Sequence, residues 1–218
     1  MKDDEARRFL IALKGMGIDS YAFDREDSVT LSSVHHNAGQ CTGCGLSATR
    51  KHVVFGEGAS KARLVFVGEA PGEEEDVQGR PFVGRAGKLL DQLIERTGQR
   101  RSEVYICNVV KCRPPQNRDP DPEEVAACIG YLRAQLETVN PRVICTLGRH
   151  AYNALLGTDE RITRIRGVLT SYRGTPLLPT YHPSFLLRNS DRLKEAEEDM
   201  ERLKQLLHSY EAYGRAVS

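Results

Sequence analysis

The sequence predicts an α/β fold, a mostly parallel sheet covered by helices on both faces. Three observations predict it. Short apolar runs recur after residue 62, most of them closed by a glycine or a polar residue. Segments with helical spacing separate these runs. The connections that alternation requires are right-handed crossovers between parallel strands. The chain has 218 residues, enough for one domain with an extension and for burial of about 70% of the unfolded surface.

Residues 1–37 read as an N-terminal extension. Phe9, Leu10, Leu13 and Met16 have helical spacing, and Ser28 to Gln40 is polar and reads as a loop. Leu64-Val65-Phe66-Val67, ended by Gly68, is the first buried strand. Leu89, Leu90, Leu93 and Ile94 form a helical stripe closed by Gly98. Val104 to Val110 is the next strand. Asp121-Pro122-Glu123-Glu124 opens a helix, because Asp is a good N-cap, Pro suits the first helical position and Glu completes a capping box. Val143 to Leu147 is a third strand, followed by a short helix. Gly167 to Thr170 and Pro176 to Tyr181 give two more strands around Arg173-Gly174. A charged helix over about 191–208 closes a domain expected to span 38–210, with 211–218 as a tail.

Hydrophobic residues make up 39% and charged residues 28%, which excludes a mainly disordered chain. No apolar run approaches the roughly 20 residues of a membrane span. The start, Met1-Lys2-Asp3-Asp4-Glu5, lacks the basic-then-apolar pattern of a signal peptide, so a cytoplasmic location is expected. Lys plus Arg is 31 and Asp plus Glu is 30, which excludes a globally basic nucleic-acid binder but not a basic face. Arg161, Arg164, Arg166, Arg173 and Arg188 fall in a stretch, 161–190, without an acid. That stretch suits a solvated face or a polyanion surface.

In such sheets ligands bind beyond the carboxyl ends of the strands. Gly68-Glu69-Ala70-Pro71-Gly72, Asn108, Gly148-Arg149-His150 and His182-Pro183-Ser184 stand there. Neither a P-loop nor Gly-x-Gly-x-x-Gly is present, which disfavours a nucleotide cofactor. Phe82, among glycines and arginines, is either a core residue or a platform for a flat base, worth about 1–3 kcal/mol. Asn108 interrupts an apolar strand, so its carboxamide must bond to backbone or to ligand. Leu186-Leu187-Arg188 follows His182 and is either core or a wedge that fills the gap left by a flipped nucleotide.

The six cysteines are 41, 44, 107, 112, 128 and 145. In a cytoplasmic protein Cys41-Thr42-Gly43-Cys44 points to metal or redox chemistry. Cys112 and Cys128 add two thiols, and spacing alone does not separate zinc from iron–sulfur. Cys107 and Cys145 sit inside apolar strands and read as packed thiols.

Together, Cys41-x-x-Cys44, Gly68 to Asp76, Gly79-Arg80-Pro81-Phe82-Val83-Gly84, Asn108 to Pro115, Cys128 and His182 to Arg188 resemble the iron–sulfur uracil-DNA glycosylases of family 4. The likeness covers about residues 38–208 in order. It implies an α/β/α domain with a four-stranded, mainly parallel sheet. It implies a [4Fe–4S] cluster on Cys41, Cys44, Cys112 and Cys128. It implies excision of uracil from single- or double-stranded DNA by a monomer, leaving an abasic site. By position Phe82 stacks on uracil, Asn108 reads its edge, and His182 stabilises charge on the leaving base. Gly68, Ala70, Pro71 and Glu75 line the base pocket, with Glu75 near C5. Ser184, Leu186 (the wedge), Arg188 and Arg166 meet DNA. Better-known glycosylases hold the water with an aspartate where this chain has Ala70, which leaves Glu69 and Glu75 as candidates. The Lys-Arg-Arg-Ile-His-like insert of a relative that captures abasic DNA covalently is absent between Lys111 and Asp121. A catalytically silent DNA-binding module and a zinc or redox protein each explain part of the pattern, but neither explains Phe82, Asn108 and His182 together.

Overall fold

The structure is a computed structural model that describes residues 29–216, with side chains to residue 209. The expected helix around Phe9 to Met16 lies outside the described residues.

The strands are β1 (Glu57–Gly58), β2 (Leu64–Gly68), β3 (Tyr105–Asn108), β4 (Val143–Leu147), β5 (Thr170–Tyr172) and β6 (Thr175–Thr180). They form one sheet in the order β1-β3-β2-β4-β6-β5. The β3-β2-β4-β6 block is parallel throughout, as the alternation of strands and helices requires. Short antiparallel strands flank it, β1 on β3 and β5 on β6. The sheet therefore has six strands, four of them the expected parallel set.

Strand side chains alternate between two cores. Leu64, Phe66, Ile106, Cys145 and Leu178 face one layer. There they meet Leu90, Leu93 and Ile94 of helix Arg85–Arg96 and Met200 and Leu203 of helix Leu193–Ala216. Val65, Val67, Cys107, Ile144 and Leu177 face the other, against Ile129, Leu132 and Leu136 of helix Pro122–Val139 and Leu155 of helix Arg149–Leu156. Strands buried on both faces read as continuous apolar runs, which is why their signal was strong.

Two expectations about the ends change. The segment read as a polar loop contains helix Leu31–Gly39, with Thr30 as N-cap. Ser33 N–H donates to Thr30 Oγ1 and Thr30 N–H to Ser33 Oγ, each at 3.1 Å. Val34 and Ala38, one turn apart, pack with Phe55 in a third small core, so the end of the expected extension belongs to the fold. The last helix continues to Ala216, through most of the expected tail. Among the described residues no helix is long and apolar enough to cross a membrane.

Candidate active site and thiol-lined cavity

The parallel strands end on one edge of the sheet, and their ends build a cleft of about 560 Å³. Gly68 closes β2 and Asn108 closes β3, paired side by side in the ladder. Val109 and Val110 N–H donate to the carbonyls of Gly68 and Glu69 at 2.9 and 3.0 Å, extending the pairing past the strands. Asn108 is 1% exposed, and its Oδ1 is buried without a hydrogen-bond partner. A buried carbonyl costs free energy until a donor reaches it. A Cβ on Gly68 would lie 2.3 Å from that oxygen and 2.6 Å from the Phe82 ring, so only glycine admits both neighbours.

Phe82 has φ +51°, a strained value for a bulky residue. Glu75 holds the turn: its Oε1 accepts from Val83 and Gly84 N–H at 2.9 and 3.1 Å, and its Oε2 from Gly72 N–H at 3.2 Å. Both oxygens are thus committed to backbone. Glu75 lines the cleft and also clasps the Phe82 loop. The Phe82 and His182 rings lie 5.7 Å apart at 35°.

His182 caps the short helix Pro183–Leu186. Its Nδ1 accepts from Ser184 N–H at 3.1 Å and lies 2.8 Å from Ser184 Oγ. The backbone donor assigns the lone pair to Nδ1, so the neutral ring carries its proton on Nε2. Burial, then the positive Arg188 and His150, hold its pKa down at about 4. His182 is therefore a neutral donor at physiological pH. Ser184, expected to touch DNA, orients that ring.

Glu69 and Ala70 follow β2 into the cleft with Pro71. Burial, followed by the nearby Asp119 carboxylate, raises the Glu69 pKa to about 7. His150 Nε2 lies 3.2 Å from Asp119 Oδ2 and 4.0 Å from Glu69 Oε2. Sequence reasoning placed His150 at a strand end but read it as structural, and it passed over Asp119. The signal for His150 was its place at the end of β4; Asp119 gave none, because a loop acid resembles any other.

Arg188 lines the cleft and is exposed. Arg166 departs from expectation. Its guanidinium bonds Asp199 at 3.0 and 3.2 Å and Glu195 at 3.0 Å, with 16% of its side chain exposed. It fastens the chain before β5 to the last helix rather than facing a polyanion. The acid-free stretch is local in sequence only, since Arg164 and Arg173 also find Glu160 and Glu137. Leu186 departs as well: it is 2% exposed and packed in the core, whereas Leu187 is 40% exposed.

Cys41, Cys44, Cys112 and Cys128 converge on a second cavity, with Arg50 and Lys111 in its wall. Gly43 N–H donates to Cys41 Sγ at 3.4 Å, Lys111 N–H to Cys128 Sγ at 3.2 Å, and Arg50 Nη1 to Cys112 Sγ at 3.4 Å. Burial pushes the Cys128 thiol up to about 12 and the Cys112 thiol in the same direction. Four thiols lining one space, with N–H donors on the sulfurs, fit a cluster that replaces their protons. Cys107 and Cys145 are buried in β3 and β4 on opposite faces of the sheet.

The α/β/α sheet thus brings an orphaned amide oxygen, a strained aromatic and a neutral histidine into one cleft. The chain belongs to the uracil DNA glycosylase superfamily, whose family model matches residues 55–207. Within that superfamily its likeness is to the type-4 enzymes. It is 49% identical over 189 residues to a type-4 uracil-DNA glycosylase of Thermotoga maritima, covering 85% of this chain and 97% of the relative. It is 47% identical over 179 residues to a type-4 enzyme of Saccharolobus solfataricus, covering 78% and 83%.

Proposed function

We propose that the protein is a uracil-DNA glycosylase that hydrolyses the N-glycosidic bond of uracil in DNA and leaves an abasic site. The observation that carries this reading is the buried, unpartnered Oδ1 of Asn108 on the cleft wall beside Phe82 and His182. Uracil presents an imide N–H between two carbonyls. The Asn108 carboxamide offers an acceptor for that N–H and a donor for a neighbouring carbonyl. Phe82 supplies a face for the ring.

Uracil inside a duplex is out of reach, so it is flipped into the cleft at a cost of a few kcal/mol. The bond between C1′ and the base nitrogen breaks with its electron pair passing to the base. Negative charge grows on a uracil carbonyl, and His182 Nε2–H is the fixed donor for it. Such a donor is commonly worth about 10²–10³ in rate. Water adds its oxygen to C1′. Ionised Glu69 orients that water and takes its proton. Arg188 grips a phosphate at the rim, without reading sequence. Exposed Leu187, beside Arg188, takes the wedge role expected of Leu186.

Cys41, Cys44, Cys112 and Cys128 would hold a [4Fe–4S] cluster. Bound there, it would supply a cross-link, because the four cysteines come from the segment after helix Leu31–Gly39, the loop after β3 and helix Pro122–Val139. A thiolate-held cluster suits a reducing cytoplasm. One chain supplies every group the reaction uses, which supports action as a monomer.

The test is single-turnover excision from labelled oligonucleotides carrying one uracil, single-stranded and duplex. The parent protein should convert both to alkali-labile abasic products. His182→Ala should bind the same DNA almost unchanged and cleave it about 10²-fold more slowly. Parent protein that leaves both strands intact refutes the activity. A loss of affinity in proportion to rate refutes the role of His182.

A further inference from the structure

Lys111 is 2% exposed and ranks among the largest fully buried side chains. Its ammonium donates to the Asn108 carbonyl at 2.6 Å and to Gln135 Oε1 at 2.5 Å, and it lies 6.0 Å from the Phe55 ring centroid. Gln135 in turn donates to the Phe55 carbonyl at 2.8 Å and to Tyr105 Oη at 3.0 Å. Every one of these acceptors is neutral. Among the described residues no carboxylate pairs with Lys111. A buried cation with neutral neighbours is unfavourable unless a negative group stands close by. Lys111 also lines the cavity of Cys41, Cys44, Cys112 and Cys128, where its backbone N–H donates to Cys128 Sγ at 3.2 Å.

We propose that Lys111 is the buried counter-ion of the group those four cysteines hold and, through its bond to the Asn108 carbonyl, the positioning residue that couples this cavity to the base-reading end of β3. The inference rests on the cluster reading above. Four thiolates outweigh the charge of an iron–sulfur core, so the held unit is an anion. Lys111 and Arg50 are the two basic residues that line its cavity, and Arg50 donates to Cys112 Sγ at 3.4 Å. The two cations differ in one respect. Lys111 also fixes the carbonyl of the residue that reads the base, and Arg50 has no link to Asn108.

That difference sets the experiment, on holoprotein purified without oxygen. Lys111→Met, Lys111→Arg and Arg50→Gln are compared with the parent. The measurements are iron and sulfide per chain, the rate of iron loss to a chelator, the midpoint potential, and the affinity for free uracil. Lys111→Met should lose iron about tenfold faster or more, and the cluster it retains should have a more negative potential, because the reduced unit carries more negative charge. It should also bind uracil more weakly. Arg50→Gln should loosen iron while binding uracil like the parent. Lys111→Arg keeps the charge, so it should keep its iron even if Lys111→Met does not fold. A Lys111→Met protein with parental iron retention and potential overturns the counter-ion role, as does a folded Lys111→Arg protein without iron. A uracil affinity in Lys111→Met no lower than in Arg50→Gln overturns the coupling. Iron-free parent protein overturns the cluster reading itself.

Discussion

Changing pH tests Glu69 directly. Its carboxyl is raised from its ordinary value of 4.5 to about 7, by burial first and Asp119 second. In the proposed reaction the ionised form orients water, so the chemical step should accelerate as pH rises. With a pKa of about 7, the ionised fraction is about 0.09 at pH 6 and about 0.91 at pH 8, a gain of about tenfold. His182, held at about 4, does not supply this change. Single-turnover excision across pH 5.5–8.5 measures the effect. Asp119→Asn removes the like charge and should move the midpoint down, though burial keeps it above 4.5. Stability should run the other way. A carboxyl whose folded pKa is raised favours the folded state fully below its unfolded pKa of about 4.5, and that contribution is lost as pH climbs through about 7. The melting temperature contributed by this one group therefore falls where activity rises, and Glu69→Gln should abolish both trends. A rate flat between pH 6 and 8, or a Glu69→Gln protein with the parental profile, would refute the assignment.

Three groups of substitutions test other parts of the molecule. Cys112→Ser and Cys128→Ser should lose iron while Cys107→Ser and Cys145→Ser retain it, because only the first two line the thiol cavity; metal analysis with the opposite pattern overturns the ligand set. Gly68→Ala drives a methyl to 2.3 Å from Asn108 Oδ1, and a displacement of about 1 Å at a reacting centre can cost about 10²-fold. Excision should drop by that order and the fold should lose about 1–3 kcal/mol from overpacking; near-parental excision would show the contact is relieved harmlessly. Leu187→Ala should slow excision from duplex and leave single-stranded substrate untouched, since a wedge acts only where a partner strand closes the gap. Leu186→Ala should instead destabilise the fold by about 2–5 kcal/mol and impair both substrates; a duplex-only defect in Leu186→Ala reverses the assignment.

The parallel strands were legible because burial on both faces writes itself as Leu64 to Val67 or Val143 to Leu147, without polar interruption. Their carboxyl ends then named the cleft, where Glu69, Asn108 and His182 are brought together, with Gly68 packed against Asn108. Helix Leu31–Gly39 was missed because its capping box closes with Ser33, where glutamate or glutamine is the usual signal, and polar residues surround Val34 and Ala38. Strand β1 is two residues long and carries no periodicity. Arg166 and Leu186 went astray for a common reason. A run of like charge or a pair of leucines does not say what faces it, and the acids that meet Arg166 come from a helix about thirty residues later. Glu75 was placed near the base by likeness, but its partners are backbone N–H groups, which leave no trace in a sequence.

The segment from Asn108 to Pro114 borders both cavities. Asn108 and Pro114 line the base cleft, and Lys111 and Cys112 line the thiol cavity between them. Side chains of neighbouring residues therefore answer to different ligands, and one inserted or deleted residue would throw both sets out of register at once. Length variation of the kind that retunes most binding loops is closed to this stretch. A lineage, or an engineer, wanting a different base in the cleft must work by substitution here and look for new length elsewhere, such as the turn between β5 and β6 at Arg173-Gly174.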